Sequence, residues 1–177
     1  MKLTTKGRFA VTAMLDIALH QDSDPVSLSA VSERQSISLF YLEQLFGKLR
    51  RHGLVESIRG STGGYVLARL AQQISIADII YAVDEALDAT YCGGKQNCEK
   101  GTNGLGGQCM THELWETLNH KMIDYLASIS LANLVEKEHM RRRQNEKNSA
   151  LPCTLIRNKS VPSVSSTIAL SNSLKSI

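Results

Sequence analysis

The chain has 177 residues, the length of one domain with room for an appendage. Its composition is ordinary, 42% hydrophobic and 21% charged, enough to bury a modest core. The net charge of +3 conceals a division. Residues 1–70 carry nine Lys/Arg against six Asp/Glu, residues 71–136 three against nine, and residues 137–177 eight against two. A basic head, an acidic middle and a basic tail suggest a polyanion contact at one end. No apolar stretch approaches the ~18 residues of a transmembrane helix, so no membrane partner is expected. Lys2, Lys6 and Arg8 ahead of Phe9–Leu15 imitate an export signal, but Asp16 interrupts the run and no small-residue cleavage region follows. The chain is therefore expected to be cytoplasmic, where disulfides are rare. Four cysteines there point to metal or redox chemistry.

In chain order, residues 5–20 read as a helix, with Ala10, Ala13, Met14, Ile17 and Ala18 on one face. Asp22–Pro25 breaks it. Ser27 is placed to cap a short helix, Leu28–Gln35. Ser36–Ser38 turns, and Ser38 can cap a third helix that points Leu42, Leu45, Phe46 and Leu49 inward until Gly53 stops it. Leu54–Ile58 and Tyr65–Ala68 read as two strands of a hairpin with a glycine-rich tip. Ser75 and Asp78 are spaced as a capping box for a helix whose buried line is Ile76, Ile79, Ile80, Val83 and Leu87. Residues 89–111 hold six of the twelve glycines and three cysteines, a long loop of the functional kind. Thr111 can cap a helix from His112 to about Ser128, with a heptad-like stripe of Trp115, Leu118, Met122, Tyr125 and Ile129. A short helix with Leu131, Leu134 and Val135 follows Ser130. From about Asn145 the chain is serine-rich and aperiodic and reads as a disordered tail.

Three short helices and a β-hairpin make the order of a winged helix-turn-helix, so the fold class is mainly α with a small β-hairpin wing, plus a dimerisation helix. The later helix of that motif enters the major groove with its N-terminal residues at base edges. Ser38, Phe40, Tyr41, Glu43 and Gln44 lie off the apolar stripe and are free to do so. Gln44 suits a bidentate pair with adenine, and Glu43 can accept from the cytosine amino group. Ser38 and Tyr41 can reach phosphates. Glu43 acts as a discriminator in this reading, or else pairs with Lys48 on the helix surface. Lys48, Arg50 and Arg51 add charge, and Arg59 at the hairpin turn can enter a minor groove. The wing adds Gly63, Gly64 and Tyr65 to the candidate contacts with double-stranded DNA.

The second constellation is Cys92-x5-Cys98-x10-Cys109-x2-His112. Thiolates and imidazole suit zinc or iron–sulfur chemistry. Zinc sites usually open with close cysteine pairs, and here only Cys109 and His112 are close. The wide spacers suit a cluster better, with zinc as the alternative. Cys153, in the tail, reads as a free thiol. A Cys–His nucleophile and base is disfavoured, because a glycine-rich loop holds a general base poorly. No phosphate loop, dinucleotide fingerprint or hydrolase elbow is present, and no enzyme is expected.

Over roughly Met1–Glu136 the sequence resembles the IscR-type regulators of iron–sulfur cluster assembly. The matching passages are KGRFAVTAMLDIAL, ISLFYLEQLFGKLRRHGLVESIRG, GGYVLAR, AVDEALDATYC and CMTHELW. The resemblance implies a homodimeric transcription factor with a 2Fe–2S cluster on Cys92, Cys98, Cys109 and His112, supplied by cluster donor proteins. It implies repression of cluster-assembly genes by the loaded protein, and a different class of sites for the cluster-free one. The dimer would pack through Trp115, Leu118, Met122, Tyr125 and Ile129 and read a pseudo-palindrome. A zinc-stabilised repressor, or one answering nitric oxide or redox stress, is the rival within the same fold. The chain departs from the family in three places. The Cys98–Cys109 spacer is longer, which costs little, since each doubling of a loop adds about 0.6 kcal/mol. Phe40 replaces a residue that is often small and polar, so its ring either meets thymine methyls or alters the target. The tail matches nothing, and its Arg141–Arg143 run reads as a solvated helix end or a nonspecific phosphate contact. The expected organisation is a DNA-binding unit at 1–70, a connecting helix at 71–88, a cluster loop at 89–111, dimerisation and C-terminal helices at 112–144, and a tail at 145–177.

Overall fold

A computed structural model describes residues 5–21, 24–60, 62–85 and 110–149. The chain divides into two units, Met1–Arg141 and Arg142–Ile177. Within the first unit the winged helix-turn-helix is present as read. Helix α1 spans Thr5–His20 and buries Ala10, Ala13, Met14 and Ile17. Helix α2 spans Leu28–Gln35, and the Ser27 hydroxyl accepts from the Ala30 backbone N–H at 3.2 Å. It stops at Ser36, whose left-handed backbone (φ 53°) turns the chain toward the next helix.

Helix α3 spans Leu39–Arg51 and buries Leu42, Leu45, Phe46 and Leu49, the expected stripe. Ser38 occupies the N-cap position without a side-chain cap bond. At the other end Gly53 takes φ +63°, and the Leu54 N–H reaches back to the Leu49 carbonyl at 3.0 Å. That six-to-one bond is the glycine-dependent stop that the sequence signals.

Strands β1 (Val55–Ile58) and β2 (Gly64–Leu67) pair antiparallel, with Val55 opposite Leu67 and Ile58 opposite Gly64. Strand β1 is one residue shorter than expected and β2 is shifted one residue toward the N-terminus, although the Ala68 N–H still bonds the Leu54 carbonyl at 3.1 Å. Tyr65 also exchanges both backbone hydrogen bonds with Val26, at 3.0 and 2.8 Å, tying the wing to the segment before α2. This close approach explains Gly64. A Cβ there would lie 2.6 Å from the Val26 carbonyl carbon and oxygen, both backbone atoms. Gly64→Ala is therefore expected to lower stability by about 1–3 kcal/mol, the usual cost of overpacking, as measured by urea unfolding. An unchanged midpoint would mean that the wing is not held against Val26.

A 3-10 turn at Ala71–Gln73 leads to helix α4, Ile76–Ala82, opened by the expected capping box. The Asp78 N–H donates to Ser75 Oγ at 3.1 Å, and the Ser75 N–H donates to Asp78 Oδ2 at 2.9 Å. The helix ends earlier than its apolar line suggests. Asp84 adopts φ 53°, and the Glu85 N–H closes on the Ile80 carbonyl at 3.3 Å. Leu87, the last residue of the expected line, lies outside the described residues.

Helix α5 spans His112–Ser128. Thr111 does not cap it with its side chain; the hydroxyl accepts instead from the Trp115 indole N–H at 3.2 Å. Helix α6 spans Leu131–Ser149, which corrects both the expected short helix and a tail beginning at Asn145. Ser130 and Asn133 cap it reciprocally, at 3.2 and 3.0 Å. Two backbone bonds tie the α5–α6 junction to the start of α4: Ile76 N–H to the Ile129 carbonyl, and Leu131 N–H to the Ile74 carbonyl. Ile74, Ile79, Ile80 and Leu131 thus join Met14, Ile17 and Phe46 in one core. Among the described residues no helix is long and apolar enough to cross a membrane.

Candidate nucleic-acid interface and cluster ligands

The apolar stripe of α3 leaves Ser38, Phe40, Glu43 and Gln44 exposed together at its N-terminal half. Tyr41 is half-buried, its ring set edge-on to Phe9 of α1 with centroids 6.0 Å apart. Phe9 therefore buttresses the start of α3, a role that its place in an apolar helix did not single out. The expected basic residues divide. Arg59 is exposed just before Gly60, which takes φ +138°. Arg50 is exposed, and its Nη1 donates to Ser57 Oγ on β1 at 3.3 Å.

Lys48 is committed elsewhere. Its Nζ lies 2.7 Å from Asp84 Oδ2, so the pairing with Glu43 weighed from sequence does not form. The hydrogen bond to Asp84 raises the Lys48 pKa, and the same bond lowers that of the Asp84 carboxyl. The Lys6 ammonium donates to the Asp84 carbonyl at 3.2 Å. Asp84 thus fastens the end of α4 to both α1 and α3. Gly63 and Gly64 belong to the wing for steric reasons, since a Cβ on Gly63 would lie 2.6 Å from the Ile58 carbonyl oxygen. The Tyr65 ring is half-buried, edge-on to Phe46 with centroids 4.9 Å apart.

A charged network holds α1 against α2. Asp16, 1% exposed, receives the Arg34 guanidinium on both carboxylate oxygens, with Nε at 3.1 Å from each. Gln35 Nε2 donates to Oδ2 at 2.6 Å, and His20 Nδ1 lies 3.4 Å from Oδ1. Burial alone would push the Asp16 carboxyl up, but the bonds from Arg34 and Gln35 outweigh it and hold the pKa below the ordinary value. From sequence Asp16 was only a break in an apolar run. Its signal was a lone carboxylate within a buried helix stripe, which requires a partner.

Of the four candidate cluster ligands, Cys92, Cys98 and Cys109 lie outside the described residues, as does Cys153. His112 is described. It is the first residue of α5, 2% exposed, with Nε2 3.9 Å from Glu116 Oε2. Among the described residues no group of three or more His, Cys, Asp or Glu is arranged to hold a metal ion. A buried imidazole fixed by a helix start, three residues after a cysteine, is of the right type for a soft-metal or cluster site.

Helix α5 carries more apolar surface than its own core covers. Leu126 and Ile129 pack against the core, while Trp115, Leu118 and Tyr125 remain exposed and Met122 is half-buried. Leu114, 62% exposed, extends this surface and was not in the expected stripe.

Comparison with known proteins agrees with this architecture. A family model described as Rrf2, iron-dependent transcriptional regulator, matches residues 3–137. A Photorhabdus laumondii protein named as the transcriptional regulator IscR is 49% identical over 154 residues, covering 85% of this chain and 91% of its own. A Neisseria meningitidis chain, whose name gives only a regulator of helix-turn-helix type, is 58% identical over 139 residues, covering 78% and 90%. Among solved structures, T. potens IscR aligns with a TM-score of 0.62 at 36% identity, covering 78% of this chain and 88% of its own. CymR, the global cysteine regulator of B. subtilis, aligns at 0.64 and 31%, covering 77% and 98%. These relatives are regulators of transcription, not enzymes.

Proposed function

The chain belongs to the Rrf2 family of iron-dependent transcriptional regulators, and from that premise we propose that it is a cytoplasmic, homodimeric repressor of iron–sulfur cluster-assembly genes that responds to cluster supply. The DNA-binding half of this reading is carried by one observation: Ser38, Phe40, Glu43 and Gln44 share the exposed N-terminal half of α3 while its other face is fully buried. In a winged helix-turn-helix that half of the helix meets base edges. Gln44 and Glu43 would make the base contacts, and Ser38 and Tyr41 phosphate contacts. Arg59 and Arg50 would add backbone charge, with Gly63, Gly64 and Tyr65 shaping the wing. Lys48, held by Asp84, would contribute less than its position suggests. The exposed Trp115, Leu118 and Tyr125 of α5, with half-buried Met122 between them, would pair with a second copy, whose twofold axis calls for a pseudo-palindromic operator, while Ile129 packs against this chain's own core.

Cys92, Cys98, Cys109 and His112 would hold a 2Fe–2S cluster delivered by cluster donor proteins. When bound, such a group supplies a site whose occupancy follows the cell's iron–sulfur economy. Three thiolates suit it, and the buried imidazole of His112 makes the donor set less anionic than four cysteines. An imidazole is also a ligand lost on protonation, which suits a sensor. Zinc on the same four residues is the alternative, separated by metal analysis.

Selection of duplexes from a random pool tests the DNA reading. The wild type should enrich an inverted repeat. Gln44→Ala should lose about 1–3 kcal/mol of discrimination at one base position per half-site and keep the rest. Unchanged preference at every position would contradict the placement of α3 in the groove.

A further inference from the structure

Phe40 is 69% exposed, whereas the large apolar residues on the opposite face of α3, Leu42, Leu45, Phe46 and Leu49, are buried. It is the second residue of the helix, and Leu39 beside it is 39% exposed. Side chains of a helix lean toward its N-terminus, so the ring covers ground ahead of the first turn. Glu43 and Gln44 stand three and four positions later, on the same face and also exposed.

A phenyl ring offers no hydrogen-bond donor or acceptor. On the floor of the major groove the apolar group is the C5 methyl of thymine, where cytosine presents none. We propose that Phe40 reads that methyl group, fixing a thymine in each half-site close to the base pair read by Gln44. Four residues of helix span about 6 Å, under two base-pair steps of about 3.4 Å, so the thymine lies within about two pairs of the Gln44 position. This rests on the DNA reading of α3 given above and adds to it the chemical group recognised and its place in the operator.

The test uses the duplex that the wild-type protein itself selects, with each thymine replaced singly by uracil, which removes the methyl and nothing else. Covering one methyl is worth about 0.8 kcal/mol, or about fourfold in affinity. One thymine per half-site should show that loss, and every other position should show little. Phe40→Ala should bind thymine and uracil equally at that position while keeping its preference at the Gln44 position. Phe40→Leu, still apolar, should retain part of the sensitivity. Phe40 takes no part in the core, so the fold should survive both changes. Uniform tolerance of uracil, or the same sensitivity in Phe40→Ala, would overturn the inference and leave the DNA reading standing. A wild type that selects no sequence at all would overturn both.

Discussion

Cys92→Ala protein, purified without oxygen, is expected to be colourless beside a brown wild type, and to hold little iron or acid-labile sulfide. The effect should be close to all-or-none, because a cluster that loses one of three thiolates keeps too few soft donors in a glycine-rich loop to be retained. His112→Ala should behave differently. In the proposed ligand set it would remove the neutral ligand and leave three thiolates, so some colour should survive with an altered spectrum. Visible absorption together with iron and sulfide analysis checks both variants. Cys153→Ala serves as the control, expected to match the wild type because that thiol lies far along the chain from the ligand set. Equal colour in Cys92→Ala and the wild type would remove Cys92 from the ligands. Stoichiometric zinc in a colourless wild type, after anaerobic reconstitution, would replace the cluster with the zinc alternative.

The second large effect concerns stability. Arg34→Ala is expected to cost about 3 kcal/mol at neutral pH, the low end of the range for removing one partner of a buried ion pair. The low end applies because Arg34 is about one-third exposed, with 35% of its side chain open, while Asp16 is fully buried. The loss leaves the Asp16 carboxylate with Gln35 and His20 alone against its desolvation. The pH dependence has a definite sign. The Asp16 carboxyl is held below its ordinary value in the folded chain, so its contribution is fully present above the unfolded pKa of about 3.9. It is lost as the pH falls through the folded value. Asp16→Asn should therefore show a shallower loss of stability below about pH 5 than the wild type does. Urea unfolding at several pH values measures this. A cost under about 1 kcal/mol for Arg34→Ala, within the range of surface pairs, would mean that α1 and α2 are not held by this network.

What was legible in the sequence follows from how local each signal is. Helices α1 to α3 announce themselves through apolar residues at helical spacing, and Ser27, Gly53 and the Ser75–Asp78 pair act within one turn of their own position. The wing was readable for the same reason, from two short apolar runs around glycines. The misses were non-local or patternless. Helix α4 stops because Asp84 takes a left-handed backbone that glycine usually supplies, while Lys48, 36 residues away, holds its side chain. Helix α6 runs on to Ser149 through Glu, Lys, Arg and Gln residues that favour helix but carry no apolar period. The Arg141–Glu138 pair at 2.8 Å lies within that stretch. At the candidate interface the exposed set on α3 was readable from its stripe, but the fate of the flanking cations was not. Arg34 binds a carboxylate 18 positions earlier and Lys48 one 36 positions later, and no local spacing encodes either partner.

The charge division also gains an assignment. The basic head is the winged-helix unit, with Arg50, Arg51 and Arg59 exposed on it. Part of its positive charge is neutralised within the fold, by Asp16 on Arg34 and Asp84 on Lys48. Arg141, in the more basic tail region, is likewise paired with Glu138. In the proposed reading, sequence specificity would rest on the polar and aromatic residues of α3 rather than on the most basic segment.

The most direct measurement compares one anaerobic preparation before and after its metal is stripped, by absorption, iron and sulfide content, and affinity for the self-selected duplex. The expected result is a coloured protein with two irons and two sulfides per chain, whose affinity or preferred site changes when the colour is lost. A colourless protein, or one that binds the same duplex equally well in both states, would contradict a cluster-responsive regulator.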